Sequence, residues 1–288
     1  MFSVESSEEV RESFQTQPWD ENGRLELEKL WISRVTFSSD GVQCVGNLYT
    51  PKVAIPAGGF AAIVTQGPSS YVKEMSPTHY AVRLGAEFVV LTFDPRFCGE
   101  SDGTPRRLEL GSLKAQDCRA AGAFLATLAT VNPTQIHMLG ICMGVNWAIE
   151  AVVADPLFKT ISVAGGNYMG PPSAELVAKA DTGRKALADL KESGKPEYVP
   201  LVSNTDNTAF MGGGLFERWY GRWADRHPFW NYHGMWENRI ATASLAECDH
   251  CTKTNIMIPT LIREQYRSLI ELLSSTNSLP PPLSKIRR

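Results

Sequence analysis

Between residues 60 and 165 the chain alternates short apolar runs with stretches of helical spacing, and this alternation constrains the fold more than any other feature. Ala61 to Thr65 is a brief apolar run closed by Gly67-Pro68, and Phe88 to Phe93 is a second. Runs of this length without polar alternation fit strands buried on both faces of a parallel sheet. Helical segments are expected at about 74 to 85, 113 to 130 and 143 to 154, with further strands at 136 to 139 and 160 to 164. Strands that take turns with helices imply a doubly wound α/β sheet. Ahead of this block, Trp31 to Ser38 and Val42 to Tyr49 flank Ser39-Asp40-Gly41 and read as a β-hairpin.

The flanking regions follow other patterns. Residues 1 to 25 are polar and charged and read as a loosely docked arm. Residues 170 to 240 break the α/β rhythm with polar helices and a cluster of rings that includes Phe210, Phe216, Trp219, Tyr220, Trp223 and Trp236, read as a cap inserted between sheet strands. Its rings either pack on the main domain or line an acyl or aromatic pocket, and the two roles are compatible. Ile256 to Ile262 reads as a strand, Arg263 to Ser274 as an amphipathic helix, and 274 to 288, with Pro280-Pro281-Pro282, as a disordered tail.

Composition excludes several function classes. The 288 residues carry a net charge of -3, which argues against a dedicated nucleic-acid binder. No apolar run reaches the 18 or so residues of a membrane span, and the acidic start, Met1 to Arg11, lacks the form of a secretory signal. Cysteines at 44, 98, 118, 142, 248 and 251 are then expected as free thiols in the cytosol. Gly165-Gly166 and Gly212-Gly213-Gly214 lack the frame of a phosphate cradle, so no cofactor is expected.

The segment that carries chemistry is Leu139-Gly140-Ile141-Cys142-Met143-Gly144, a G-x-C-x-G between an expected strand and an expected helix. This is the context of a nucleophile elbow, in which Gly140 and Gly144 permit a tight bend that presents the side chain between them. The nucleophile would be the Cys142 thiol, its pKa lowered by the dipole of the following helix. The Met143 N–H is the expected first oxyanion-hole donor. The second is expected from the loop at 66 to 70; Pro68 has no N–H, which leaves Gly67, Ser69 or Ser70. The bland reading of Cys142 is a small buried core residue.

Other chemistry-bearing residues point less far. Cys248-Asp249-His250-Cys251 is half a zinc site without a second pair, so no metal is expected. His137 is expected to be structural, and His79, His227 and His233 are weak candidates for a general base. Asp94, Glu100 and Asp102 follow a strand and read as loop carboxylates.

With the elbow, Gly67 to Glu74 (G-P-S-S-Y-V-K-E), Phe93 to Arg106 (F-D-P-R-F-C-G-E-S-D-G-T-P-R) and an Asp117 that opens the next helix, the sequence resembles the α/β-hydrolase superfamily. Within it the chain is similar to the dienelactone-hydrolase-like branch that holds fungal polyketide transferases and thiohydrolases. The resemblance covers about 45 to 262. It implies an arm at 1 to 30, an α/β-hydrolase domain at 31 to 273 with its cap at about 170 to 240, and a tail at 274 to 288. It further implies transfer of a polyketide-type acyl chain, from a thioester delivered by a synthase carrier protein, to an alcohol or water in secondary-metabolite biosynthesis. A structural role for the carboxylates at 94 to 102 is implied as well. Two rival readings are a general ester or dienelactone hydrolase and a non-catalytic binding protein; a homodimer is left open. The family's triad runs nucleophile, acid, His, with the acid after a strand like Ile256 to Ile262. Here Arg263-Glu264-Gln265 follows that strand and no His occurs after His250, so a shortened C-terminus without the triad acid and base is expected.

Overall fold

The computed structural model describes residues 3–5, 26–166, 173–206, 208–212, 214, 216, 220 and 236–248. The expected strand at 256 to 262, the helix at 263 to 274, the tail and several cap rings (Trp219, Trp223, Phe229, Trp230 and Tyr232) lie outside the described residues.

One seven-stranded sheet organises the rest. Its strands are β1 (Ser3–Glu5), β2 (Leu30–Ser39), β3 (Val42–Pro51), β4 (Phe60–Gln66), β5 (Val89–Phe93), β6 (Val131–Ile141) and β7 (Phe158–Ala164), in the spatial order β1-β2-β3-β5-β4-β6-β7. Pairing is antiparallel from β1 to β5 and parallel across β5, β4, β6 and β7. The β2–β3 hairpin closes at Ser39↔Val42 through Asp40 and Gly41, both with positive φ (50° and 81°). An Asp-Gly pair adopts such angles readily, and the resulting turn matches the strand twist. Residues Ser3–Glu5 of the expected arm pair along β2 as an outer strand.

Three helices connect the parallel strands: α1 (Ser76–Leu84), α2 (Gly111–Ala126) and α3 (Gly144–Ala154). Successive strand residues point to opposite faces. Ala62, Val64, Ile136 and Met138 therefore join Ala121, Phe124 and Ala148 of α2 and α3 in one core. Ile63, Val90, Leu139 and Ile141 pack instead with Ala81 and Val82 of α1. Both faces are covered, as the continuous apolar runs require. Helix α2 begins at Gly111, so Asp117 lies inside it rather than opening it. There it is buried and accepts from the Arg96 N–H (3.0 Å) and Nε (2.8 Å).

Chain order fixes where a site can form. From β4 the chain winds through α1 to β5 on one side, then crosses back through α2 to β6 on the other. Adjacent strands β4 and β6 thus send their following segments in opposite directions. In open α/β sheets, ligands bind at the carboxyl ends of such a strand pair. Those ends are Gln66 and Ile141, directly before the Gly67 loop and Cys142.

Beyond β7 the described cap consists of α4 (Ala174–Ser193), the two-stranded pair β8 (Tyr198–Val199) and β9 (Ile240–Ala241), and a 3₁₀ helix, Thr242–Glu247. Among the described residues no helix is long and apolar enough to cross a membrane.

Candidate active site

Cys142 follows the last residue of β6 with φ +56°, a left-handed backbone that a non-glycine residue rarely holds. Such a conformation costs roughly 1–3 kcal/mol and persists only where its surroundings enforce it. They do so here. The Cys142 N–H still donates to the Ala164 carbonyl of β7 (2.9 Å), and its own carbonyl accepts from Val145 N–H (3.1 Å) in the first turn of α3.

The two elbow glycines act through closeness, not through their own dihedrals. A Cβ on Gly140 would come 2.7 Å from Val145 Cα, and one on Gly144 would come 2.2 Å from the Gly67 carbonyl oxygen and 2.5 Å from that of Gln66. Helix α3 therefore sits directly on the backbone of the loop after β4, which brings Cys142 and that loop into one place.

Cys142 and Met143 line a cavity of about 220 Å³ together with Leu176, Lys179, Phe210, Met211, Phe216, Leu245 and Cys248. The wall is mostly apolar, with Lys179 at its partly exposed edge. Gly67 and Ser69, the expected second donors, are not on this wall. Their loop is wholly buried from Gly67 to Met75.

The sequence-based expectation of an acidified thiol is overturned. Burial pushes the Cys142 thiol above the usual cysteine range, and the charge of Glu109 pushes it further, against the lowering effect of the Met143 N–H. Desolvation outweighs the helix N-terminus because the dipole acts weakly while burial penalises the whole charge.

Glu109 had no signal in the sequence. It precedes α2 in an ordinary Arg-Leu-Glu-Leu-Gly stretch, yet its buried carboxylate holds the loop after β4. One oxygen accepts from the Ser69 hydroxyl, and the other accepts from the Ser70 N–H (2.6 Å) and pairs with buried Lys114. The Ser70 N–H is therefore committed to Glu109, which leaves the amides of Gly67 and Ser69 as the expected second donor. Ser70 is itself left-handed, with φ +50°. From the cap side the Tyr220 hydroxyl donates to the Ser69 carbonyl (2.6 Å) and Trp236 Nε1 to the Ser70 carbonyl (3.0 Å). The two rings stack at 5.8 Å. The cap rings thus divide their roles: Tyr220 and Trp236 clamp the loop, while Phe210 and Phe216 line the cavity.

Further along the loop Lys73 is completely buried among carboxylates, 2.8 Å from Asp94 and 2.7 Å from Glu74, and paired with Glu100. Burial alone would discharge it; the three acids outweigh that and hold it cationic. Asp94 also accepts from the N–H groups of Lys73 and Glu100, so these acids brace the loops after β4 and β5. Neither they nor Asp102 line the Cys142 cavity.

None of the described histidines reaches that cavity. His137 bonds to Thr160 of β7 (2.9 Å) and lies five residues before Cys142 on β6, roughly 16 Å away at strand rise. His79 is on α1. His227, His233 and His250 lie outside the described residues, as do Asp249 and Cys251 of the C-x-x-C segment. Cys248 itself faces the Cys142 cavity, an arrangement the C-x-x-C pattern did not suggest.

No family model matches the chain. Over 200 residues it is 32% identical to an uncharacterized protein of Pseudomonas aeruginosa, covering 64% of this chain and 53% of that one. It is 29% identical over 181 residues to the thiohydrolase apmlB of Arthrinium phaeospermum (60% of this chain, 56% of that one). It is 36% identical over 120 residues to the polyketide transferase claH of Penicillium crustosum (40% and 38%). The chain thus spans about half the length of the curated relatives it matches first. Among solved structures, a hypothetical protein of Pseudomonas aeruginosa superposes with a TM-score of 0.61 at 27% identity, covering 76% of this chain and 71% of that one. The alpha/beta hydrolase GrgF of Penicillium superposes with a TM-score of 0.57 at 22% identity (75% and 72%).

Proposed function

We propose that this chain, which has the α/β-hydrolase fold, transfers an acyl group through Cys142, from a thioester to an alcohol or to water. The observation that carries this reading is the left-handed Cys142 at the strand-to-helix turn, opening on an apolar cavity at the sheet's carboxyl edge. A buried structural thiol has no need of so costly a backbone.

The Cys142 thiolate attacks the carbonyl carbon; a C–S bond forms and the carbonyl π pair moves onto oxygen. Met143 N–H and an amide of Gly67 or Ser69 stabilise that oxyanion. Collapse breaks the bond to the original sulfur, which departs as a thiolate and takes up the proton Cys142 gave up. An alcohol or water then attacks the S-acyl carbonyl, Cys142 leaves as the thiolate, and the proton that the alcohol or water gives up returns to it as the thiol. The first half is a thiol-for-thiol exchange. The raised pKa of Cys142 leaves little of it as thiolate near neutrality, so this exchange speeds up as pH rises.

The relatives named thiohydrolase and polyketide transferase support a thioester and a polyketide-type chain over a simple ester; a synthase carrier protein as donor and a cytoplasmic place in secondary metabolism are part of the same proposal. The cavity of about 220 Å³ that the described residues line accommodates a short acyl segment. Turnover of an acyl-pantetheine thioester tests the reading. Wild type should release free thiol and Cys142→Ala should not; equal turnover by both would remove the nucleophile. Faster cleavage of lactones or phenyl esters than of the thioester would favour the dienelactone-type rival.

A further inference from the structure

We propose that Glu109 is a positioning residue of this site, gripping the peptide between Ser69 and Ser70 from one side while Tyr220 grips it from the other. The proposal rests on the acyl-transfer reading of Cys142 and deepens it.

The geometry is specific. In a trans peptide the C=O and N–H point in opposite directions. The Ser69 carbonyl accepts from the Tyr220 hydroxyl at 2.6 Å, and the N–H of the same peptide, on Ser70, donates to Glu109 at 2.6 Å. The plane of this one peptide is therefore set by two groups far apart in sequence, one before α2 and one in the cap. The Ser69 hydroxyl adds a second bond to Glu109. The carboxylate is held in turn: Lys114 pairs with it beneath the Trp147 ring of α3 (4.2 Å to the centroid), and the Glu109 N–H donates to Ser244 of the 3₁₀ helix (2.8 Å). Glu109 is 5% exposed and Lys114 2%.

Two of the three groups from which the carboxylate accepts, the Ser69 hydroxyl and the Ser70 N–H, belong to the strained segment beside the elbow. A left-handed Ser70 would relax if released, and the loop that must supply an amide to the oxyanion would turn with it. Glu109 also lies within electrostatic reach of both Cys142 and Tyr220. The groups facing it are Lys114, Ser69, Ser70 and Ser244, with Tyr220, Cys142 and Cys98 beyond. One negative charge thus does two opposed things: it keeps the loop in place for transfer and makes the thiolate harder to form.

Glu109→Gln separates the two. The amide keeps one acceptor for the loop, but the other position becomes a donor against Lys114 and the Ser70 N–H. Acyl-thioester kcat should fall on the order of 10- to 100-fold, the worth of one charge-assisted hydrogen bond. Alkylation of Cys142 by iodoacetamide should instead become faster at a fixed pH near 8, with its pH profile moved to lower pH. Tyr220→Phe should lower kcat with a smaller effect on that profile. The double variant should lose less than the product of the two single losses, because both hold one peptide. General unfolding would alter both readouts in every variant and is checked by circular dichroism.

Unchanged kcat and an unchanged alkylation profile in folded Glu109→Gln would overturn the proposal while leaving the Cys142 reading intact. So would strictly multiplicative losses in the double variant. Equal turnover by wild type and Cys142→Ala would instead remove the reading beneath it, whatever Glu109 does to alkylation.

Discussion

Gly144→Ala is a stringent perturbation of the elbow because two effects of known sign oppose each other. Gly144 is the first residue of α3, and alanine is the better helix former by about 1 kcal/mol. Against this, the added Cβ would lie 2.2 Å from the Gly67 carbonyl oxygen and 2.5 Å from that of Gln66. Both are backbone atoms at the end of β4, so neither can rotate aside. Restoring an ordinary contact requires α3 and the loop to part by about 1 Å, and overpacking of this kind costs about 1–3 kcal/mol. The clash wins by up to about 2 kcal/mol, or a fall in Tm of up to about 8 °C at this chain length. Function should suffer more, because about 1 Å of misplacement between nucleophile and oxyanion donors can cost on the order of 100-fold. Thermal unfolding by circular dichroism and acyl-thioester turnover read the two effects. Gly212→Ala is the control: its Cβ would be 3.7 Å from the nearest atom, and it should stay within about 0.5 kcal/mol of wild type. A Gly144→Ala variant with wild-type Tm and turnover would refute the close approach of α3 to the loop.

Further outcomes follow from the same groups. The rate of Cys142 alkylation should keep rising above pH 8.5, where an exposed cysteine levels off, because burial and Glu109 raise its thiol; a plateau below pH 7 would contradict this. Glu74 is pushed up to about 7, chiefly by burial, against the opposing pull of Lys73. The folded state then binds a proton that the unfolded state gives up from about pH 4.5. Glu74's contribution is fully present below that pH and is lost as pH rises through 7. In guanidinium titrations between pH 5 and 8, Glu74→Gln should flatten that decline, and an unchanged slope would count against it. Lys73→Met leaves the buried Asp94 and Glu74 without their cation, while Glu100 keeps Arg34, and should destabilise by about 3–5 kcal/mol in the same assay; a loss under 1 kcal/mol would contradict the buried pairing.

The parts legible in sequence are those governed by local rules. The apolar runs at 61–65 and 88–93 became β4 and β5, Asp40-Gly41 made the hairpin turn, and the spacing of Gly140, Cys142 and Gly144 marked the elbow. What escaped depends on tertiary placement. The need for glycine at the first residue of α2, Gly111, comes from Trp147 Nε1, 2.5 Å from where a Cβ would sit. The pairing of Ser3–Glu5 with β2 has no apolar signature. β7 reads as a β-branched run, yet most of it is open, with Val163 45% exposed, because it is the last strand of the described sheet. The sign of the Cys142 shift depends on how deeply the cap covers it, and Glu109 meets Ser69 across 40 residues of sequence.

Mass spectrometry of the protein quenched in acid within seconds of mixing with an acyl-pantetheine thioester tests the central claim most directly. The account predicts a mass increase of one acyl group that maps to the peptide containing Cys142, is absent from Cys142→Ala, and decays as an alcohol or water accepts the acyl. Turnover without any such adduct, or an adduct on another cysteine that persists in Cys142→Ala, would contradict it.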